Sequence, residues 1–312
     1  MITRDVAAFA AFARSSQPDF GPATARAAFL VSPDGFARAA DSAADNRYMA
    51  DAGAFDAVRA LHEHRALHQA LSMQLPTICF AGDASAPDGL FPNNVFATAR
   101  ADAAAPAAFA PRLVIGRMRH PVRQREARRS DIRDWFGDVL GYGEVDLSTQ
   151  PHPCELTGAL VIDRARGLGY CGLSERCDER GAALMHDAFG LRATLMFELA
   201  AGEYHANVVL AVLAGRVLLA CPDGFADPAV AEIIAALYPH AAQLSAAERA
   251  AFAGNAICVG GDTVWMSATA AAALAGGTRD TLQEAGMTVA AVELAAIEAA
   301  GGSLRCCIAE LF

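Results

Sequence analysis

Gly301-Gly302-Ser303-Leu304-Arg305-Cys306-Cys307-Ile308-Ala309-Glu310-Leu311-Phe312 is the stretch that orders the rest of the chain. Two glycines and a serine supply a flexible turn, and the apolar residues after them predict a short buried strand. Chain ends ordinarily fray and carry little chemistry, so a cysteine pair here asks for a reason. Two small apolar residues filling a strand would look the same, and residues elsewhere tip the balance. His205 stands in Tyr204-His205-Ala206-Asn207 and Glu155 in Cys154-Glu155-Leu156-Thr157-Gly158, each beside an apolar run that predicts a strand. Cysteine, histidine and carboxylate together are the raw material of covalent thiol catalysis.

Outward from this stretch, apolar runs alternate with alanine-rich helical stretches. Strands are predicted at Ala27–Val31, Thr77–Phe80, 113–115, 159–162, 193–197, 208–212, 217–221 and 264–266. Helices are predicted at 54–71, 123–136, Glu179–Phe189, 228–237, 246–252 and 278–284. Such alternation is the mark of an α/β fold. No Pro/Ser-rich linker divides the chain; the alanine-rich residues 101–111 read as a surface loop, and no repeat stands out.

Composition narrows the function. With 312 residues, 54% hydrophobic and 19% charged, the chain can bury a large core. A net charge of -10 argues against nucleic-acid and anionic-membrane partners. All 25 basic residues are arginine, which excludes a lysine Schiff base and a Walker A lysine. The eight cysteines form no Cys-x-x-Cys pair, so a zinc ribbon or thioredoxin motif is not expected. With no signal peptide or membrane span in view, free thiols point to the cytoplasm.

Two signals are set aside. His64 and His68 could share a helix face, but the His62-Glu63-His64 cluster lacks a metal-ligand pattern, so no metal and no cofactor is expected. The arginine-rich run 117–129 contains Glu126 and sits in an acidic protein, so it reads as a solvated helix or small-anion site.

The motifs, in order, resemble a known family. They are Ala-Ala-Asp-Asn at 43–46, Phe-Pro-Asn-Asn at 91–94, Pro-Val-Arg-Gln-Arg-Glu at 121–126, Glu-Leu-Thr-Gly at 155–158, Gly-Leu-Ser-Glu-Arg at 172–176, Tyr-His-Ala-Asn at 204–207, Phe-Ala-Gly-Asn at 252–255 and the terminal Gly-Gly-Ser-Leu-Arg-Cys. From about residue 28 to 312 the chain resembles the pentein superfamily of guanidino-group-modifying enzymes, the arginine deiminases and amidinotransferases. It looks closest to the citrulline-utilising, arginine-deiminase-related hydrolases. The resemblance implies one catalytic domain over 1–312, with 1–25 as an irregular N-terminal extension. It implies a pentein fold, a five-fold pseudosymmetric α/β propeller of ββαβ-type modules. It further implies catalytic roles for Cys306, His205 and Glu155, and substrate contacts from Phe91, Asn94, Asn207, Arg176 and one of Arg123 or Arg125. Leu156 departs from the family glycine, and Val95 from the family tryptophan.

A thiolate could attack the central carbon of a guanidinium or ureido group. His205 would protonate the departing nitrogen and then activate water. Arginine deiminases resembling this chain hold guanidinium with aspartates where Asn94 and Asn207 stand. An amide can donate to a ureido oxygen, whereas a carboxylate only accepts, so the substitutions favour citrulline, or arginine by way of citrulline, converted to ornithine. Lineage drift with guanidinium still bound is the competing reading. A deiminase or dimethylarginine hydrolase, an amidinotransferase and a non-catalytic ligand-binding pentein also stand as alternatives. The partner expected is a small amino acid; a homodimer is compatible with the sequence.

Overall fold

The computed structural model describes residues 1–99 and 111–312; the alanine-rich stretch read as a loop lies outside the described residues except for Pro111. Its strands, in chain order, are β1 (Ile2–Thr3), β2 (Ala27–Val31), β3 (Thr77–Phe80), β4 (Phe96–Ala99), β5 (Arg112–Ile115), β6 (Gly143–Asp146), β7 (Leu160–Asp163), β8 (Leu168–Leu173), β9 (Ala193–Glu198), β10 (Leu210–Leu213), β11 (Val217–Ala220), β12 (His240–Gln243), β13 (Ile257–Cys258), β14 (Thr263–Ser267), β15 (Thr288–Val292) and β16 (Ala309–Leu311).

These strands make five small sheets with one pattern: β4-β5-β6, β7-β8-β9, β10-β11-β12, β13-β14-β15 and β16-β2-β3. In each, the first pair is antiparallel and the second parallel. A parallel pair needs a long crossover, and each is bridged by helix, for instance Ala57–Ser72 between β2 and β3 and Glu179–Phe189 between β8 and β9. The latter helix begins where Asp178 caps the Gly181 amide and ends at Gly190, whose φ of +62° suits a residue without Cβ. The inner strands touch their neighbours around a ring: β10 meets β7 and β13, and β16 meets β4. This is the five-module α/β architecture expected, with the ring closed by β16 pairing onto β2 from the other end of the chain.

Each inner strand is preceded by a tight turn. Pro92–Asn94 precedes β4, Leu156–Ala159 precedes β7, Ala206–Val209 precedes β10, and Leu304–Cys307 precedes β16. The Phe252–Asn255 hydrogen-bonded turn precedes β13. These five turns meet at the centre and carry most of the polar residues singled out above.

Three expectations change. Residues 1–25 are not irregular throughout: β1 pairs parallel with β9, and the helix Val6–Ser15, capped by Asp5, sets Phe9 edge-on to Tyr170 at 5.5 Å. The helix expected at 123–136 is broken into Pro121–Gln124, a 3-10 turn at Glu126–Arg128, Ser130–Asp134 and a π turn at Trp135–Val139. Cys306 and Cys307 lie on a 3-10 turn, not in the strand, which starts at Ala309. Among the described residues no helix is long and apolar enough to cross a membrane.

Candidate active site

Glu155 ends the loop before the turn Leu156–Ala159 and is fully buried. The chain reverses here through Leu156 at φ +24°, a conformation that costs an L-residue strain and suits glycine better. Leu156 takes the turn that the resemblance assigns to glycine, held by its burial among apolar neighbours. Glu155 Oε1 accepts the Arg119 amide at 3.0 Å, and Oε2 lies 2.8 Å from His205 Nε2 and 3.6 Å from Arg176 Nη1. Burial by itself would raise this carboxyl; Arg176, the bond to His205 and Arg123 overcome it and hold the group at about 2. Glu155 is therefore ionised, so His205 Nε2 carries the hydrogen and Nδ1 bears the lone pair.

His205 Nδ1 is buried and has no partner. Burial lowers the imidazole pKa, offset in part by Glu155, so the ring rests neutral. Tyr204 packs on it at 4.6 Å between centroids, and the Tyr204 hydroxyl donates to Gly301 O. Gly158 passes so close that a Cβ would lie 2.8 Å from His205 Nδ1 and 2.5 Å from Asn94 Oδ1. The histidine's free nitrogen and Asn94 thus flank one bare stretch of backbone.

Cys306 is buried beside two amides. Asn255 Nδ2 donates to its sulfur at 3.3 Å, and the thiol lies 4.0 Å from Asn207 Oδ1. Asn207 Nδ2 donates to Thr157 O at 3.1 Å, so the Asn207 oxygen faces the thiol. Burial pushes the thiol pKa up; the Ser303 backbone, Asn255, Arg305 and Arg123 pull against it without reversing it. The resting sulfur is a thiol. Cys307 turns away, its sulfur donating to Ser303 O at 3.6 Å within the apolar cluster of Leu294 and Ile297.

A cavity is lined by Cys306, Asn94, Phe91, Arg123, Arg176 and Asp88 among others. Of the two candidate arginines, Arg123 is buried and Arg125 exposed. Arg123 is clamped by Glu126, with Nε–Oε1 and Nη2–Oε2 both at 2.8 Å, and also donates to Phe91 O at 3.2 Å. Arg176 is less free than its sequence role implies. Its Nη2 donates to Asp45 at 2.5 Å and to Ser42 O at 3.1 Å, and the guanidinium stacks over Tyr204.

Three further residues were not singled out as site residues in the sequence. Asn255 sits at the end of a quoted motif, and its bond to sulfur gives it a place. Asp88 is buried on the cavity wall; Oδ2 accepts from Ser42 at 2.5 Å while Oδ1 has no partner. Asp45 joins Arg176 to His120, whose Nε2 is 3.0 Å away. Pro87 and Gly89 around Asp88 signal only a turn, whereas Asp45 lies inside the quoted Ala-Ala-Asp-Asn motif without having been given a role.

The amides, imidazole–carboxylate pair and thiol converge on the ring centre, and three comparisons with known proteins bear on their meaning. The structure is similar to the N-terminal domain of ArgZ bound to substrate, an arginine dihydrolase from cyanobacteria, with a TM-score of 0.76 and 20% identity over 91% of this chain and 97% of that one. It is similar to unliganded AgrE, with a TM-score of 0.75 and 20% identity, over 92% of this chain but 39% of that one. It is also similar to a dimethylarginine dimethylaminohydrolase adduct with S-methyl-L-thiocitrulline, with a TM-score of 0.67 and 19% identity over 92% and 100%. These likenesses establish a shared pentein fold. In sequence, N(G),N(G)-dimethylarginine dimethylaminohydrolase of Mycobacterium tuberculosis is 30% identical over 198 residues, which is 64% of this chain and 61% of the relative. Residues 32–312 match the family described as N,N dimethylarginine dimethylhydrolase, eukaryotic. With nearly all of the ring inside that match, the chain belongs to the N,N-dimethylarginine dimethylhydrolase family.

Proposed function

We propose that this chain is a cysteine-dependent hydrolase of a ureido or guanidino amino acid, with citrulline, or arginine by way of citrulline, converted to ornithine. The observation that carries the reading is the partnerless Nδ1 of His205, set by Glu155 and flanked with Asn94, in a centre that also buries the Cys306 thiol. His205 Nδ1 takes the thiol proton. The thiolate adds to the ureido carbon, the bond from that carbon to the amino-acid nitrogen breaks, and His205 returns the proton to that nitrogen. Ornithine leaves, a carbamoyl group remains on sulfur, and water activated by His205 cleaves the C–S bond. The carbamic acid released decomposes to ammonia and carbon dioxide. Arg123 and Arg176, although already engaged by Glu126 and Asp45, are the cations on the cavity wall that would face an α-carboxylate, and Asp88, with an open oxygen, suits an α-ammonium.

The citrulline preference draws on the amides next to the thiol, where among the described residues the sulfur meets Asn255 and Asn207 and no carboxylate. Since Asn207 gives its N–H to Thr157, Asn94 is the amide left to donate. The cyanobacterial arginine dihydrolase among the structural neighbours favours the same class. A second reading, hydrolysis of dimethylarginine to citrulline, is favoured by the family match and the M. tuberculosis relative. Equal concentrations of citrulline, arginine and dimethylarginine, with ornithine, citrulline, ammonia and dimethylamine quantified, separate the two. Ornithine formed from citrulline is the expected result. Consumption of guanidinium compounds alone, stopping at citrulline, would overturn the citrulline assignment and leave the thiol chemistry standing.

A further inference from the structure

The wall of the catalytic cavity is shut off from solvent. Cys306, Asn94, Phe91, Arg123, Arg176 and Asp88 are each 4% exposed or less. A free amino acid reaches the thiol only if part of this wall moves. Asn94 and Cys306 sit on the central turns, and Arg123 is clamped by Glu126. The segment 42–49 differs. It contributes Ser42, Asn46 and Met49 to the cavity, while its Ala44 and Arg47 are exposed and its Tyr48 and Met49 half-buried.

Side chains fasten this segment to the ring. Arg176 Nη2 donates to Asp45 Oδ1 at 2.5 Å, and Asp45 Oδ2 lies 3.0 Å from His120 Nε2 and 3.3 Å from Arg119 Nε. The Ser42 hydroxyl donates to Asp88, Asn46 Nδ2 donates to Gly301 O at 3.1 Å, and the Tyr48 hydroxyl donates to Glu203 at 2.8 Å. The backbone is tied at the end of the segment, where Met49 bridges Ala300 and Ala50 N donates to Ala299 O at 2.8 Å. Such fastenings part and re-form without unpacking a sheet, as a local opening requires. Asp45 gathers three of them on one carboxylate.

Asp45 and Ser42 also meet the two groups assigned above to the head of the substrate. The Asp45 carboxylate takes an N–H of Arg176, and the Ser42 hydroxyl takes an oxygen of Asp88. An α-carboxylate and an α-ammonium bring the same pair of contacts.

We propose that segment 42–49 is the gate to the catalytic cavity and that Asp45 is its latch, competing with the substrate carboxylate for Arg176. The competition rests on the head-group reading of Arg176 and Asp88; the gate does not. When a binding-competent state is only partly populated, apparent affinity falls by that fraction. Releasing the latch must therefore speed entry and lower KM by the same factor.

Iodoacetamide labelling of the ligand-free full chain at one fixed pH, scored by peptide mass spectrometry, tests entry, with the exposed Cys79 as internal control. Asp45→Asn keeps the shape and removes the charge. Cys306 should then label about tenfold faster, the scale of one lost charge-assisted bond, with Cys79 unchanged. KM should fall about as much, measured with citrulline, or with dimethylarginine should that be the compound consumed, since both carry the same head. An unchanged Cys306 rate would overturn the gate. An unchanged or raised KM would overturn the competition, because a residue that merely orients Arg176 raises KM when lost. Labelling reads entry whatever the substrate is, so a failed citrulline assay and a failed gate give different results. Should Asp45→Asn not fold, Tyr48→Phe, which severs the contact with Glu203, decides the gate alone: faster labelling of Cys306 supports it, and unchanged or slower labelling sinks it.

Discussion

Glu155 Oε2 lies 2.8 Å from His205 Nε2, and this contact leaves the other ring nitrogen, Nδ1, buried with its lone pair unpartnered. Glu155→Gln keeps the shape and removes the charge that selects the tautomer. We expect turnover to fall by roughly 10³–10⁴, the scale seen when an orienting carboxylate is neutralised in a triad, with the fold retained by circular dichroism. A loss of less than tenfold would mean that His205 does not depend on Glu155.

Cys306 faces Asn255 and Asn207, whereas Cys307 is packed among apolar side chains. Cys306→Ser should reduce turnover to background. Cys307→Ser should keep most of the turnover and lose about 1–3 kcal/mol of stability, the cost of a poorly satisfied buried hydroxyl. Activity surviving in the first variant and vanishing in the second would reverse the assignment.

The buried thiol predicts a pH profile. With its pKa above the ordinary value, Cys306 in the ligand-free protein is less ionised at neutral pH than a free cysteine. Inactivation by iodoacetamide should rise with pH and reach half its limiting rate above about 8.5, the reference thiol value. Protection by substrate identifies the reacting cysteine. A midpoint near or below pH 7 would mean that the resting site holds a thiolate.

Gly158 has no room for a side chain. An added Cβ would meet Asn94 Oδ1 at 2.5 Å and His205 at 2.8 Å. Gly158→Ala should cost about 1–3 kcal/mol, as overpacking does, and should lower kcat much more than other buried alanine substitutions of similar stability. Unchanged kcat would show that Asn94 and His205 can shift without consequence.

Leu156 allows strain to be weighed against burial. Truncation of a buried leucine costs about 2–5 kcal/mol, more than the roughly 1–2 kcal/mol of left-handed strain, so both Leu156→Ala and Leu156→Gly should destabilise. Glycine is ordinarily the worse of the two by about 0.5–1 kcal/mol. At φ +24° the order should invert, with Leu156→Gly the more stable. Thermal unfolding of the pair checks this, and the ordinary order would refute strain at this turn.

Much of this was legible from local signals. The helix Glu179–Phe189 has an Asp cap, apolar periodicity and a terminal glycine, and it appears with the expected bounds. The outer strands β6, β12 and β15 were missed because they are edge strands of polar or alanine-rich composition with several exposed residues, so no alternation betrays them. The repeat was invisible because it is one of place. Asn94, Thr157, Asn207, Asn255 and Cys306 lie on turns just ahead of the five inner strands, in motifs whose common letter is little more than the Asn at three of these positions. The motif of Arg176 points to a substrate contact, but its pairing with Asp45 depends on packing across 131 positions, which sequence patterns do not carry.

The seam between β16 and β2 joins Ala309 to Phe29 and Leu311 to Ala27. Cys306, the proposed nucleophile, is on the turn leading into that seam. During synthesis, modules β4-β5-β6 through β13-β14-β15 can be assembled while the residues from 304 onward are still inside the ribosome. A nascent chain at that stage would hold His205 and Glu155 but no Cys306, and its first module would lack a strand. A chain lacking residues 301–312 would therefore leave β2 without its antiparallel partner, and on the proposed assignment it is expected to be inert.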